Sequence, residues 1–408
     1  MDKKKIERIL YDHNIAFKDL ERALDIVLHF ITNRQLILVG GQAIDYALRA
    51  KDSKLYEDYQ VPDYDVYSPN HYKDAGDLGI ILCKVGLPNI SVIRGMHVST
   101  MRVRVDFVPV ADITYCPENI YKDLPTIKYN GIRIIHPHEQ MIDQHRALCY
   151  PYEDEPRESI FSRWEKDIRR YNMLIKHYPI EAKIVKPSHT VKVKKDSVRG
   201  HCLAGYIAHA YYTGNYKETE SEFEFKTHAD EIHLITNNYE PLIAQLTKEL
   251  KKRPIMYNRV LTRFPERTEF KSKPAYFIYN NQDSLLSAKK ITNMSTKTEI
   301  GLFDRSDIYI VSPQFLFLYY LHYKDYSSYV ELMETIAKDD YIDSIMVNTY
   351  GSTNINEAQH IYYNLFHNEH ERSNIPSNMF PARLRNCVVK GNCPYNSPYF
   401  QHDGKKIN

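Results

Sequence analysis

Two hydrophobic periods alternate along this chain. From Ile6 to Ile31 apolar residues recur at helical spacing, at Ile9, Leu10, Ile15, Leu20, Ala23, Leu24, Ile26, Val27 and Phe30, which predicts one or two helices. Leu36, Ile37, Leu38 and Val39 then form a short apolar strand that runs into Gly40, Gly41 and Gln42, followed by a helical pattern at Ala43, Ile44, Ala47 and Leu48. Strands and helices alternate from Leu36 to about Arg146, and Asn130-Gly131 marks a hairpin between Pro125–Tyr129 and Ile132–His136. Pro137 is placed as the first-turn proline of the next helix. Glu158 to Tyr178 is helical again, Pro179 to Asp196 reads as a Lys-rich, Pro-punctuated connection that marks a boundary or an exposed strand, and Ser197 to Tyr212 as a helix of small residues.

One strand breaks the apolar rule. In Pro62, Asp63, Tyr64, Asp65, Val66, Tyr67, Ser68 two carboxylates stand two residues apart, so in extended backbone they share a face while Val66 takes the other. Like charges side by side repel unless a cation lies between them, and a divalent metal ion meets that need. Met101 to Val110 reads as a later strand centred on Asp106, a third carboxylate. The strand, glycine pair and helix start at Gly40–Gln42 form a turn whose backbone N–H groups can approach a phosphate closely.

Gly-Gly before a helix, Asp-x-Asp on a strand and a further Asp on a later strand resemble the DNA polymerase β superfamily of nucleotidyltransferases. The resemblance implies that Asp63 and Asp65 bridge two metal ions, that Asp106 completes the one activating the attacking 3′-hydroxyl, and that Gly40, Gly41 and Gln42 cradle the triphosphate. Two ions about 4 Å apart stabilise both the entering and the leaving oxygen of an in-line displacement. The stretch from Gln42 to Pro62 exceeds the superfamily's usual spacing and reads as an inserted loop.

The second half echoes the first. Pro274, Ala275, Tyr276, Phe277, Ile278, Tyr279, Asn280 aligns with residues 62–68, with Ala275 and Phe277 in the places of the two aspartates. Ile308 to Pro313, followed by an apolar helix from Phe315, matches Ile132 to Pro137 and its helix. The expected fold class is therefore α+β: a polymerase β-like palm, helical flanking elements and a second, degenerate palm-like domain. The expected divisions are an N-terminal helical segment 1–34, the catalytic palm 35–180, a connecting helical region 181–240, the degenerate domain 241–380 and a basic tail 381–408.

A catalytic palm followed by a metal-less one is similar to the poly(A) polymerase catalytic subunits of large cytoplasmic DNA viruses, of poxvirus and giant-virus type. That resemblance implies template-independent addition of AMP from ATP to the 3′ end of mRNA with two Mg²⁺ or Mn²⁺ ions. It also implies an RNA partner, a homodimer formed through the degenerate half, and residence in the host cytoplasm, at the viral factory, and in the virion. A CCA-adding or small-substrate nucleotidyltransferase and a non-catalytic RNA-binding subunit are the alternatives.

Composition changes this picture little. The net charge of +2 over 408 residues gives no global basic excess, so RNA contacts fall to local runs: Lys192, Lys194, Lys195 and Arg199, or Lys248, Lys251, Lys252 and Arg253. Of these Lys194 and Lys195 are the candidates for nucleotide binding. The 34 tyrosines suit base stacking on single strands. The six cysteines show no zinc spacing and read as reduced thiols, and His367 and His370 lack a third ligand. No signal core follows the charged start, and the apolar run Phe315–Leu321 is too short to cross a bilayer, so no membrane partner is expected.

Overall fold

The structure, a computed structural model, describes residues 17–58, 60, 63–95, 99–149, 160–257, 267–281, 287–291, 298–300 and 303–336. The charged start, Pro62, His367, His370 and the basic tail lie outside the described residues. The chain forms two compact units, one built from residues up to Gln140 together with Met173–Pro179, the other from Met141–Asn172 and from Ile180 onward.

In the first unit the elements run α1 (Phe17–Arg34), β1 (Ile37–Val39), α2 (Gly40–Arg49), β2 (Tyr64–Ser68), α3 (His71–Lys84), β3 (Ser91–Arg94), β4 (Thr100–Val105), β5 (Val108–Tyr115), α4 (Glu118–Asp123), β6 (Thr126–Tyr129), β7 (Ile132–Ile135) and the start of α5 (Pro137–Cys149). The last turn of α6 (Ile160–His177) joins them. Seven strands form one sheet in the order β3-β4-β5-β2-β1-β7-β6. Its middle follows from composition: β1 is apolar and buried at every residue, while β2 alternates, with Tyr64, Val66 and Ser68 buried and Asp65 and Tyr67 half-exposed. Helices α1, α2 and α3 cover the buried face. The Asn130-Gly131 hairpin and the helix opened by Pro137 stand where the sequence places them.

The strand expected over Met101–Val110 is two strands. Asp106 and Phe107 both have positive φ, 47° and 69°, so they form a two-residue hairpin loop between Val105 and Val108. The signal was weak because such loops usually carry glycine or asparagine, and Phe107 leaves its ring 69 % exposed.

The inserted loop is anchored from within α2. The buried Asp45 accepts from the N–H groups of Leu55 and Tyr56 at 2.8 and 2.9 Å and pairs with Arg49, which also holds Asp58 at 2.9 Å. Its carboxylate thus does for the loop what a sheet ladder does for a strand.

The second unit continues with β8 (His189–Lys194), α7 (Lys195–Val198), β9 (Cys202–Ala204), α8 (Gly205–Tyr212), β10 (Tyr216–Glu218), β11 (Glu222–Thr227), β12 (Glu231–Thr236), α9 (Tyr239–Leu250), β13 (Ile255–Tyr257), β14 (Arg267–Phe270), β15 (Ala275–Asn280), β16 (Ser287–Lys290), β17 (Thr298–Ile300), β18 (Tyr309–Val311), α10 (Pro313–Tyr323) and α11 (Tyr326–Ile336). The stretch 181–240, expected as a connecting helical region, therefore carries strands, of which β8 meets the exposed-strand reading of Pro179–Asp196. The expected helix over Ser197–Tyr212 likewise breaks into a short turn of helix, a strand and α8. Cys202, Leu203 and Ala204 resemble a helix segment by composition, but a three-residue buried strand leaves no period to read.

An eight-stranded sheet of order β13-β14-β15-β12-β9-β18-β16-β17 crosses this unit, beside a three-stranded sheet β10-β11-β8. Its first seven strands repeat the first unit's sheet, order and direction alike: β12 runs antiparallel to β9 as β2 does to β1, β15 parallel to β12 as β5 to β2, and β18 parallel to β9 as β7 to β1. The core helix α10 is apolar all round and buried from Pro313 to Leu321. Among the described residues no helix is long and apolar enough to cross a membrane.

His145, on α5, lies fully buried against the rings of Tyr171 and Phe317 at 4.3 and 5.4 Å. Burial pushes its pKa down to about 3. A folded-state value below that of the unfolded chain means that unfolding takes up a proton as the pH falls through about 6.5, so acid favours the unfolded state by about 2 kcal/mol at pH 5. We expect the urea midpoint to fall between pH 7 and pH 5 by clearly more in the wild type than in His145→Phe, measured by equilibrium denaturation.

Candidate active site

The site is assembled on the face of the first sheet that carries Asp65, opposite the face holding the buried Tyr64 and Val66. Alternation along β2 sets Asp63 and Asp65 on that face, and the parallel register of β2 and β5 puts Asp112 directly beside Asp65. Carboxylate oxygens of Asp63, Asp65 and Asp112 all lie within 4.8 Å of one another. Asp112, only 7 % exposed, was missed in the sequence. The residue expected in its role, Asp106, sits at the tip of the β4–β5 hairpin, where its side chain accepts from Asn89 Nδ2 at 2.7 Å and its N–H donates to the Pro88 carbonyl. Asp112 stands six positions after Asp106 along the hairpin arm, about 20 Å at the usual strand rise. The missed signal was the pair of apolar alternations Val103/Val105 and Val108/Val110 flanking Asp106-Phe107, which makes a hairpin and carries the next carboxylate to Asp112.

Arg102 on β4 stands opposite Asp112 and grips it with two hydrogen bonds, Nε to Oδ1 at 2.8 Å and Nη2 to Oδ2 at 2.5 Å. Those hydrogen bonds, and the charges of Asp112, Asp63 and Asp65, hold the guanidinium's pKa above its ordinary value against the opposing effect of burial. Three carboxylates and one guanidinium leave a formal charge of −2, which a divalent cation neutralises. An all-oxygen, all-anionic donor set matches magnesium and manganese and is unlike the sulfur and imidazole sites of softer ions. Replacing Arg102 by Ala strips the one cation from this cluster. We expect the melting temperature in a chelator to drop, and the gain on adding Mn²⁺ to exceed that of the wild type, as read by thermal shift.

The glycine turn touches the cluster directly. Gly40 begins α2 with φ +70°, and a Cβ placed there would overlap Oδ2 of Asp65. The chain can therefore turn from strand to helix against the second aspartate only without a side chain. Gln42 is buried but lines a cavity of about 600 Å³ with Asp45, Tyr46 and Tyr64. Tyr64 alternates with Asp63 and Asp65, so that cavity opens on the helix-covered face of the sheet, away from the carboxylates. Only the backbone of Gln42, in the first turn of α2, belongs with the Gly40 turn beside Asp65.

Lys194 and Lys195 belong to the second unit. Lys194 is exposed at the end of β8, whereas Lys195 pairs with Glu218 at 2.7 Å and lies over the Phe223 ring at 5.0 Å. Lys192 faces Glu224 at 3.4 Å, and Arg199 holds Asp196 and the Ser306 carbonyl. Most of this basic run is thus occupied within its own unit.

The repeated sheet identifies what stands in the second unit where the first has its carboxylates. Val39 precedes Gly40 and pairs with Asp65; Ala204 precedes Gly205 and pairs with His233. Gly205 also has positive φ, and a Cβ there would come within 2.5 Å of the His233 ring. The counterparts of Asp63, Asp65 and Asp112 are therefore Glu231, His233 and Phe277, the last paired with His233 as Asp112 is with Asp65. This corrects the sequence alignment, which set Ala275 and Phe277 against Asp63 and Asp65; residues 275–280 take the place of β5, while the match of Ile308–Pro313 to Ile132–Pro137 agrees in register. His233 is fully buried, Nε2 lies 3.0 Å from Glu231, Nδ1 lies 3.0 Å from the Tyr279 hydroxyl, and its ring stacks on Phe277 at 4.5 Å. Burial lowers its pKa, partly offset by Glu231, so a neutral imidazole donates to the carboxylate and accepts from the tyrosine. A hydrogen-bonded pair and a phenyl ring fill the place of a metal-binding triad.

The fold and the carboxylate cluster define a polymerase β-like nucleotidyltransferase palm followed by a degenerate repeat of it. Residues 25–154 match the family described as poly(A) polymerase catalytic subunit. Among its relatives is an African swine fever virus protein of the same family (isolate Tick/Malawi), 35 % identical over 334 residues that cover 74 % of this chain and 66 % of the relative. A second isolate's protein (Tick/South Africa) is 44 % identical over 192 residues, 47 % of this chain and 40 % of its own length, and an Acanthamoeba polyphaga mimivirus protein is 31 % identical over 189 residues, 44 % and 32 %. The chain thus spans between about a third and two thirds of the length of these relatives. The crystal structure of the Megavirus polyadenylate synthase shares the fold at a TM-score of 0.60 and 20 % identity, over 90 % of this chain and 75 % of that one.

Proposed function

We propose that this chain adds AMP from ATP to the 3′ end of mRNA without a template, the catalytic work being done by the first unit. The observation that carries this reading is the convergence of Asp63, Asp65 and Asp112 beside the Gly40 turn. Bound there, two Mg²⁺ or Mn²⁺ ions would acidify the attacking 3′-hydroxyl and neutralise charge on the entering and leaving oxygens. Asp63 and Asp65 would ligate both ions and Asp112 the one on the hydroxyl side. Arg102 keeps Asp112 turned toward its neighbours through the bidentate contact. Gly40 lets the start of α2, with its free N–H groups, face the triphosphate. In the transfer the 3′-oxygen bonds to the α-phosphorus, the bond from that phosphorus to the oxygen bridging to the β-phosphate breaks, pyrophosphate leaves and the hydroxyl proton passes to solvent water.

The partners in this reading are ATP, an RNA 3′ end and a second copy of the chain docked through the degenerate unit, with Lys194 free to meet nucleotide or RNA. The site of action is the cytoplasm of the infected cell, at the viral factory, and the virion. Primer extension on an unstructured RNA with each nucleoside triphosphate in turn, in Mg²⁺ and in Mn²⁺, tests it. Long products from ATP alone support polyadenylation. A product of a few nucleotides that needs CTP points to a CCA-adding enzyme, and RNA retention without extension to a binding subunit.

A further inference from the structure

A second cluster of metal-type ligands lies in the other unit. His209 on α8, His228 in the turn after β11, and Glu331 on α11 bring one ligand atom each to within 4.8 Å of one another. The three come from separate elements, and 122 residues separate His209 from Glu331. All three side chains are largely removed from water, at 2, 10 and 15 % exposure.

The geometry is that of ligands converging on a point. Glu331 Oε2 lies 3.1 Å from His209 Nε2 and 2.7 Å from His228 Nε2. Yet the His228 nitrogen, buried and close to the carboxylate, meets it at an angle that makes no hydrogen bond. A buried ring nitrogen left so is costly unless another partner takes its lone pair. The outer support is of the kind metal-bound histidines use. His209 Nδ1 lies 2.8 Å from the buried Tyr320 hydroxyl, and a proton held on Nδ1 by that contact frees Nε2 as a ligand. Rings steady His228: Tyr206 at 5.7 Å and His209 at 5.2 Å, both edge-on, with Tyr206 itself fixed by a 2.7 Å bond to Asp325.

From this we infer that His209, His228 and Glu331 form a binding site for one divalent transition ion, zinc above all. Two imidazoles and a carboxylate are a borderline-soft set that favours zinc over magnesium, with a fourth tetrahedral position for water. Ligands 2.0–2.1 Å from a tetrahedral ion stand about 3.4 Å apart, so to admit it Glu331 Oε2 would move about 0.3 Å further from His209 Nε2 and about 0.7 Å further from His228 Nε2. The ion would tie α11 to α8 and to the β11 turn, a structural role in a unit whose palm-like site carries no carboxylate triad. It is independent of the catalytic carboxylates.

The experiment measures metal in the full chain. Protein purified without chelator and desalted is assayed for zinc by elemental mass spectrometry, then stripped, and reloaded with Zn²⁺ in competition with a chromogenic chelator. The expected result is about one equivalent of zinc in the wild type and in Asp63→Ala, and at least tenfold weaker binding in His228→Ala. Should His228→Ala fail to fold, the stripped wild type titrated with Co²⁺ decides, since a tetrahedral site gives intense visible absorption that Zn²⁺ displaces. Folded wild type that takes up no zinc in the presence of the chelator, a His228→Ala protein that binds as tightly as wild type, or Co²⁺ absorption of octahedral strength would each overturn the assignment.

Discussion

Asp112→Asn is expected to reduce AMP incorporation by about 10³-fold or more, whereas Asp106→Asn is expected to leave it within about twofold. A thousandfold loss corresponds to about 4 kcal/mol of transition-state stabilisation, a reasonable share for one anionic ligand among three. Asparagine keeps the size of the side chain and removes the charge, so a metal ion at Asp63 and Asp65 loses an anionic ligand while the sheet stays intact. Arg102 then faces a neutral amide, and thermal stability shifts by no more than one lost ion pair allows. Asp65→Ala is expected to be as inactive as Asp112→Asn while RNA binding stays within a few-fold. At position 106 the side chain caps a hairpin tip and bonds only to Asn89 among the contacts described. Its loss costs a surface hydrogen bond and touches no reacting group. Single-turnover primer extension with labelled ATP reads all three variants; an inactive Asp106→Asn beside an active Asp112→Asn would reverse the assignment.

The contrast between those two aspartates also measures how much of the site was legible in sequence. Asp63 and Asp65 could be read because strand alternation needs only adjacent residues, and Gly40 because a strand, two glycines and a helix make a local signal. The third carboxylate depended on which strand lies beside β2 and in what register. That information is long-range, and Asp106 was the nearest acid in a stretch that looked continuous. Arg102 was invisible for the same reason, its partner being ten residues away across a hairpin.

The repeat shows the same limit at larger scale. Ile308–Pro313 aligned correctly with Ile132–Pro137 because an apolar strand followed by Ser or His, a proline and a helix keeps its local grammar. Residues 274–280 aligned with the wrong strand, since β12 and β15 are parallel neighbours of similar apolar and aromatic composition. Only the sheet, with His233 opposite Ala204 and beside Phe277, decides which residues replaced the carboxylates. Glu231 and His233 look like an ordinary alternation in sequence, yet they occupy the ground of Asp63 and Asp65.

Gly40→Ala is expected to lower the rate of incorporation by about 10²-fold or more, with KM for ATP raised as well, because two costs fall on one atom. Alanine at φ +70° is strained by about 1–3 kcal/mol, and the new methyl group must displace the Asp65 carboxylate that it overlaps. A ligand displaced by even 1 Å is enough to cost about 10²-fold in a geometry-limited transfer. Gly205→Ala supplies the matched comparison within the same chain: its φ is +57° and its Cβ would press on the His233 ring, so the strain and the crowding are alike. That substitution is expected to lower the melting temperature by a similar or larger amount, since a fully buried ring yields less than a half-exposed carboxylate, while single-turnover incorporation at a temperature where the variant stays folded remains near the wild-type rate. Gly76→Ala, with open space around the added methyl group inside α3, leaves the rate unchanged and raises the melting temperature slightly. Equal loss of rate in the Gly40 and Gly205 variants, at matched folded fraction, would mean that the glycine acts on stability alone and that the close approach of the α2 turn to Asp65 plays no part in the chemistry.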